Sequence, residues 1–141
     1  MLYTKKSRKN YEVKQMKTLL VVLVLALLAL VALATSSVRI PKGMTAEVHE
    51  MGIQGLGIAD RFLTGDLEAE AAAEQLDALL DNVHRVIADR LEAKKLTALE
   101  EDLELAFIVL SDAVWMMTIN LGDAATVEAA RASLAVLLEM G

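Results

Sequence analysis

Cysteine is missing from all 141 positions of this chain, and proline occurs once, at Pro41. Without thiols there is no disulfide, no lipidated N-terminal cysteine, no covalent haem attachment, no thiolate zinc site and no cysteine nucleophile. Packing alone has to hold whatever folds. The catalytic vocabulary is equally thin: no Gly-x-Ser-x-Gly, no P-loop, no His-Glu-x-x-His and no dinucleotide-binding glycine pattern occurs. The expectation is a non-enzymatic protein with no catalytic residue, no cofactor and no metal.

What the chain does have is one long apolar run. Leu19 to Ala34 are sixteen uncharged apolar residues, preceded by Lys5, Lys6, Arg8, Lys9, Lys14 and Lys17 against a single acid, Glu12. Every face of such a helix is apolar, so a buried core helix is disfavoured and an export segment favoured. Ala32-Leu33-Ala34 before Thr35 supplies a small-x-small cleavage site. As a helix, Thr18 to Val38 reaches roughly 31 Å, enough to cross a ~30 Å hydrocarbon core. Two readings stand side by side: a signal peptide cut after Ala34, or a transmembrane anchor with its N-terminus inside. Met16-Lys17-Thr18-Leu19 opens like an ordinary signal peptide, so Met16 is an alternative start. In either case the basic side is held in the cytoplasm and the remainder faces outward, extracytoplasmic in the cell envelope: secreted if cut after Ala34, otherwise anchored in the cytoplasmic membrane. Ala26, Ala29 and Ala32 are three apart and no glycine is present, so the segment offers no small-xxx-small dimerisation face.

Beyond Ala34 the charge reverses: nineteen acids stand against eight bases, a formal −11. Such a domain repels phosphate backbones, which argues against nucleic acid and for a basic partner or simple solubility. The expected organisation is a basic leader over 1–17, the signal or anchor over 18–38, a linker over 39–44 marked by Pro41 and Gly43, and a helical domain over 45–141.

The domain reads as helix throughout. A first helix is expected from about Thr45 to Leu63, with Val48, Met51, Ile58 or Ala59, and Phe62 at core spacing. Gly52, Gly55 and Gly57 lie in its middle and each costs about 1 kcal/mol against Ala, so a kink and a straight helix compete. Gly52, Gly55 and Ala59 also suggest a groove for close approach of another helix or a ligand. Thr64-Gly65-Asp66 reads as a stop followed by an N-cap at Asp66. The second helix is then expected to run to about Lys95, burying Leu76, Leu80, Val83, Ile87 and Leu91, with Ala69, Ala72 and Ala73 extending that face. Glu70, Glu74, Asp77 and Asp81 form a like-charge stripe along it, either a solvated outer face or a grip for a basic partner. Calcium is disfavoured, because it needs six or more converging oxygens and no EF-hand spacing occurs.

Thr97-Ala98-Leu99-Glu100 is a capping box opening a third helix. Its core face is Leu99, Leu103, Phe107, Leu110, Val114, Met117 and Leu121, yet Leu105, Ile108, Val109, Trp115, Met116 and Ile119 lie off that face. Three readings follow: burial all round by the other helices, a docking surface centred on Trp115, or a second membrane span, the last disfavoured by Asp112. Gly122-Asp123 repeats the stop and N-cap, and a last helix is expected from about Ala124 to Met140, burying Val127, Ala130, Leu134, Leu137 and Leu138.

Both histidines, His84 beside Asp81 and Arg85 and His49 between Glu47 and Glu50, read as surface or interface groups, because a carboxylate-bundle metal site wants a Glu-x-x-His on each of two helices, whereas this chain has a single Asp-x-x-His, Asp81 to His84. The sequence thus implies an all-α protein, a small three- to four-helix bundle preceded by an N-terminal signal or transmembrane helix. Its role is that of an interaction or structural module of the envelope, with a membrane-tethered sensory or ligand-binding bundle as the alternative. Its partners are the membrane, through the N-terminal segment, and a protein partner or a second copy of itself. The candidate surface comprises Ile108, Trp115, Met116 and Ile119 with Glu70, Glu74, Asp77 and Asp81.

Overall fold

The computed structural model describes residues 39–139, with Lys17, Val21 and Leu23 as isolated positions before them. The expectations for the leader and the apolar segment, and for Met140, lie outside the described residues. Among the described residues there are four helices and no strand: α1 (Ala46–Leu63), α2 (Ala69–Glu92), α3 (Ala98–Thr118) and α4 (Ala124–Glu139). Each connection is five residues long, which favours antiparallel neighbours. The helices pack in a ring, α1 on α2, α2 on α3, α3 on α4 and α4 back on α1; α1 and α3 also touch across the middle. None of these helices is long and apolar enough to cross a membrane, which removes the reading of α3 as a span.

The centre is filled by Leu76, Leu103, Phe107, Leu110, Leu134 and Leu138, all fully shielded. Phe107 and Leu138 explain two of the three glycines in α1. A methyl group added at Gly55 would lie 2.6 Å from the Phe107 ring, and one at Gly52 would lie 2.5 Å from Leu138, whereas Gly57 faces open space. α1 therefore runs unbroken, because the two inward glycines let α3 and α4 approach closely enough for dispersion contacts to offset their poor helix propensity. The groove expected there is occupied by the bundle itself. Ala59 is fully buried beside it, and Ile58 is only half-buried.

One end of the bundle is tied by Glu100, which is completely buried. Its carboxylate accepts from Arg90 Nε at 2.8 Å, from the Thr97 backbone N–H at 3.3 Å and from the Thr45 hydroxyl at 3.3 Å. The Thr97 hydroxyl accepts from the Glu100 N–H at 3.2 Å, completing the expected capping box. It also donates to the Gly43 carbonyl. Thr45 caps α1 by accepting from the Val48 N–H. The segment 39–44 thus forms a turn, closed by the Met44 N–H on the Pro41 carbonyl at 3.1 Å, with Pro41 and Met44 buried. On the far side Arg131 of α4 makes two hydrogen bonds to Asp60 of α1, at 2.8 and 3.3 Å, and that contact raises the guanidinium's pKa.

Several helix ends differ from expectation. Gly65 does take the left-handed position, with φ +85°, but Asp66 stays in the turn and accepts from the Thr64 hydroxyl at 3.2 Å. The N-cap of α2 is Glu68, without a side-chain cap. α2 stops at Glu92, because Lys94 turns to φ +57° and the Lys95 N–H folds back onto the Arg90 carbonyl. Leu91, in that fraying last turn, is exposed rather than buried, and Leu79 takes a place in the core instead. α3 likewise ends early. Asn120, with φ +60°, fills the left-handed position expected of Gly122, so Leu121 lies past the helix and is exposed. Gly122 has a different reason to be glycine, since a Cβ there would sit 3.0 Å from the Met117 backbone nitrogen. Asp123 does cap α4: it accepts from the Thr126 hydroxyl at 2.6 Å and the Thr126 N–H at 2.7 Å, and these bonds lower its pKa.

Candidate functional site

The candidate site lies along the outer side of α2 and α3. Contacts between these helices run in reverse order: Arg90 meets Glu100, and His84 Nδ1 meets Glu104 Oε2 at 2.9 Å. Further along, Glu74 and Asp77 face the same space as Asp112 and Trp115. The two helices are therefore antiparallel, and this order carries the acidic stripe of α2 alongside the outer face of α3.

That outer face is apolar and uncovered. Leu105, Val109, Trp115 and Ile119 are 60%, 55%, 53% and 42% exposed, with Ile108 and Met116 half-buried between them. Seven residues at helical spacing, Leu105, Ile108, Val109, Asp112, Trp115, Met116 and Ile119, share one side of the helix, opposite Leu103, Phe107, Leu110 and Val114. Burial all round is thereby corrected. Four helices in a ring leave each member with a side that no other described helix reaches, and in α3 that side is apolar.

Where the stripe borders α2 there is an open groove of about 450 Å³, lined by Ala73, Glu74, Asp77, Ser111, Asp112 and Trp115. Among the described residues three carboxylates and an indole border it, and no basic side chain does. Ser111 is nine-tenths buried there, with no hydrogen bond to any described residue. Its hydroxyl is not fully enclosed, because the only fully enclosed side-chain polar atom lacking a partner among the described residues is His49 Nε2.

The structure brings Glu74, Asp77 and Trp115 together and leaves the other sequence candidates around them. Glu70 and Asp81 are exposed on the same stripe but do not line the groove; Ile108, Met116 and Ile119 lie along the α3 face. Asp112 and Ser111, which read in sequence as interruptions of an apolar helix, belong to the site. Asp112 stands three residues before Trp115, so their common face was available from spacing. Pairing across to Glu74 and Asp77 required the register between α2 and α3, which no spacing within one helix contains.

The histidines do not contribute. His84 pairs with Glu104 at the surface, whereas His49 is buried on α1, contrary to a surface or interface placement. His49 stands one turn before Gly52, which packs against Leu138 of α4, and so lies toward the inward side of α1. No group of three or more His, Asp or Glu residues converges on a metal-sized space among the described residues. No protein-family model, curated protein or solved structure matches the chain.

Proposed function

We propose that this chain is a non-enzymatic interaction module of the cell envelope, carried across the membrane by its apolar N-terminal segment and docking a protein partner through the outer face of α3. The observation that carries the reading is the uncovered stripe Leu105, Val109, Trp115 and Ile119 beside the acidic edge of α2. Leaving four large apolar side chains in water forgoes burial worth about 1.5–3 kcal/mol for each one fully covered. A contiguous exposed patch that includes Trp is the usual signature of a contact surface. The export half of the proposal rests on the sequence: the basic leader, the sixteen-residue apolar run and the acidic remainder. The glycine notch of α1, which suggested a ligand-binding bundle, packs against Phe107 and Leu138.

Photo-crosslinking in living cells tests the docking half. With a benzoylphenylalanine in place of Val109 in the full chain, discrete adducts are expected; at Gln54, exposed on α1, none are. Equal labelling at both positions, or none at either, would contradict it. N-terminal sequencing of the protein from membrane and medium fractions tests the export half. An intact chain found soluble inside the cell would overturn that half.

A further inference from the structure

The groove between α2 and α3 has a chemistry of its own, which the docking reading alone does not require. Among the described residues Glu74, Asp77 and Asp112 border it with no neutralising base, Trp115 offers an aromatic face, and Ser111, nine-tenths buried, lines it with no hydrogen-bond partner. Unopposed carboxylates focus a negative potential in a recess. An indole attracts an organic cation through its quadrupole, more strongly as water is displaced. A free hydroxyl accepts from an N–H that carries positive charge. The carboxylates do not converge tightly enough to hold a metal ion, so the complementary group is a cation with spread charge and several donors. Guanidinium fits this best, and a Lys ammonium serves as a compact second choice.

We propose that the groove receives an Arg or Lys side chain from a basic, otherwise apolar helix of a protein partner, the rest of that helix lying along Leu105, Val109 and Ile119. This rests on the docking reading above and adds the chemistry of the partner to it. The stripe from Leu105 to Ile119 extends roughly 21 Å, the length of about four helical turns, so a partner helix of ordinary size covers it. The cation fixes register and orientation, and the apolar contacts supply most of the area.

The chain's lone tryptophan is Trp115, which gives a reporter inside the proposed site. The full chain, labelled with 5-fluorotryptophan and held in non-ionic detergent, is titrated with three synthetic Leu/Ala-rich helical peptides and followed by fluorine NMR. One peptide carries a central Arg, the second citrulline, which has the same shape without the charge, and the third Glu. The Arg peptide is expected to shift the Trp115 resonance and to bind at least roughly tenfold more tightly than the citrulline peptide. That advantage should shrink with added salt. It should disappear in the Glu74→Gln/Asp77→Asn double variant, whose changes are conservative and exposed and leave the fold intact. Equal binding of the Arg and citrulline peptides would overturn the cation site while leaving apolar docking standing. Failure of all three peptides to shift the resonance would overturn the proposed helix partner altogether, and the crosslinking at Val109 then decides the docking reading separately.

Discussion

Within α3, Leu103, Phe107, Leu110 and Val114 are fully buried, while Leu105, Val109 and Trp115 from the same helix, and Ile119 at its C-cap, stand in water. The two sets differ little in hydrophobicity. What separates them is geometry, since α2 and α4 flank α3 and α1 meets it across the centre, leaving its far side without a neighbour among the described helices. Hydrophobic character shows that a residue gains from being covered, and topology decides whether this chain does the covering. The inner face accounts for the fold, and the outer face calls for something beyond it.

The largest expected contrast comes from truncating one residue on each face. Phe107→Ala should cost about 3–5 kcal/mol in urea unfolding, because it empties the centre opposite Gly55. Val109→Ala, two residues away and exposed, should stay within about 0.5 kcal/mol of the parent. Next comes the polar end of the inner face. Glu100→Ala leaves Arg90 without its carboxylate and removes an acceptor shared by Thr45 and Thr97. About 2–4 kcal/mol is expected there, reduced from the range for buried pairs because Arg90 keeps some exposure, and Glu100→Gln should recover part of it.

A smaller contrast sits in α1. Gly55→Ala pushes a methyl group into the Phe107 ring and should destabilise by about 1–3 kcal/mol. Gly57→Ala meets nothing within contact distance and should stabilise by about 1 kcal/mol through helix propensity alone. Equal effects at the two glycines would show that α1 does not present Gly55 to the core. The smallest effect concerns the cap that follows α3. Because hydrogen bonds from Thr126 depress the folded-state pKa of Asp123, its contribution is present above the ordinary carboxylate range and fades as pH falls through the lowered value. Asp123→Ala should therefore be slightly less stable than the parent near neutrality, with the difference closing in acid; calorimetric scans across that range check it.

Much of the fold was legible because it is written locally. The capping box Thr97–Glu100, the cap at Asp123 and the three- and four-residue recurrence of Leu76, Leu80, Val83 and Ile87 each depend on residues within a few positions of one another. Helix ends misled where an unusual residue took a glycine's place, as Lys94 and Asn120 do with positive φ. The burial of Glu100 was not legible, since its capping role is local but its bonds to Arg90 and Thr45 come from other helices. The same holds for the site. Trp115 and the acidic stripe were visible as separate features, and only the antiparallel register of α2 and α3 brings Glu74 and Asp77 to Trp115.

The division of α3 into a face that holds the bundle and a face proposed to serve a partner is tested most directly by urea unfolding of the full chain carrying Leu105→Gln, Val109→Gln and Ile119→Gln together. The account predicts an unfolding free energy within about 1 kcal/mol of the parent and an unchanged slope, because all three side chains already face water. A loss of about 3 kcal/mol or more, of the kind core substitutions produce, would show that the outer face stabilises the fold after all, and no partner surface would be left to explain.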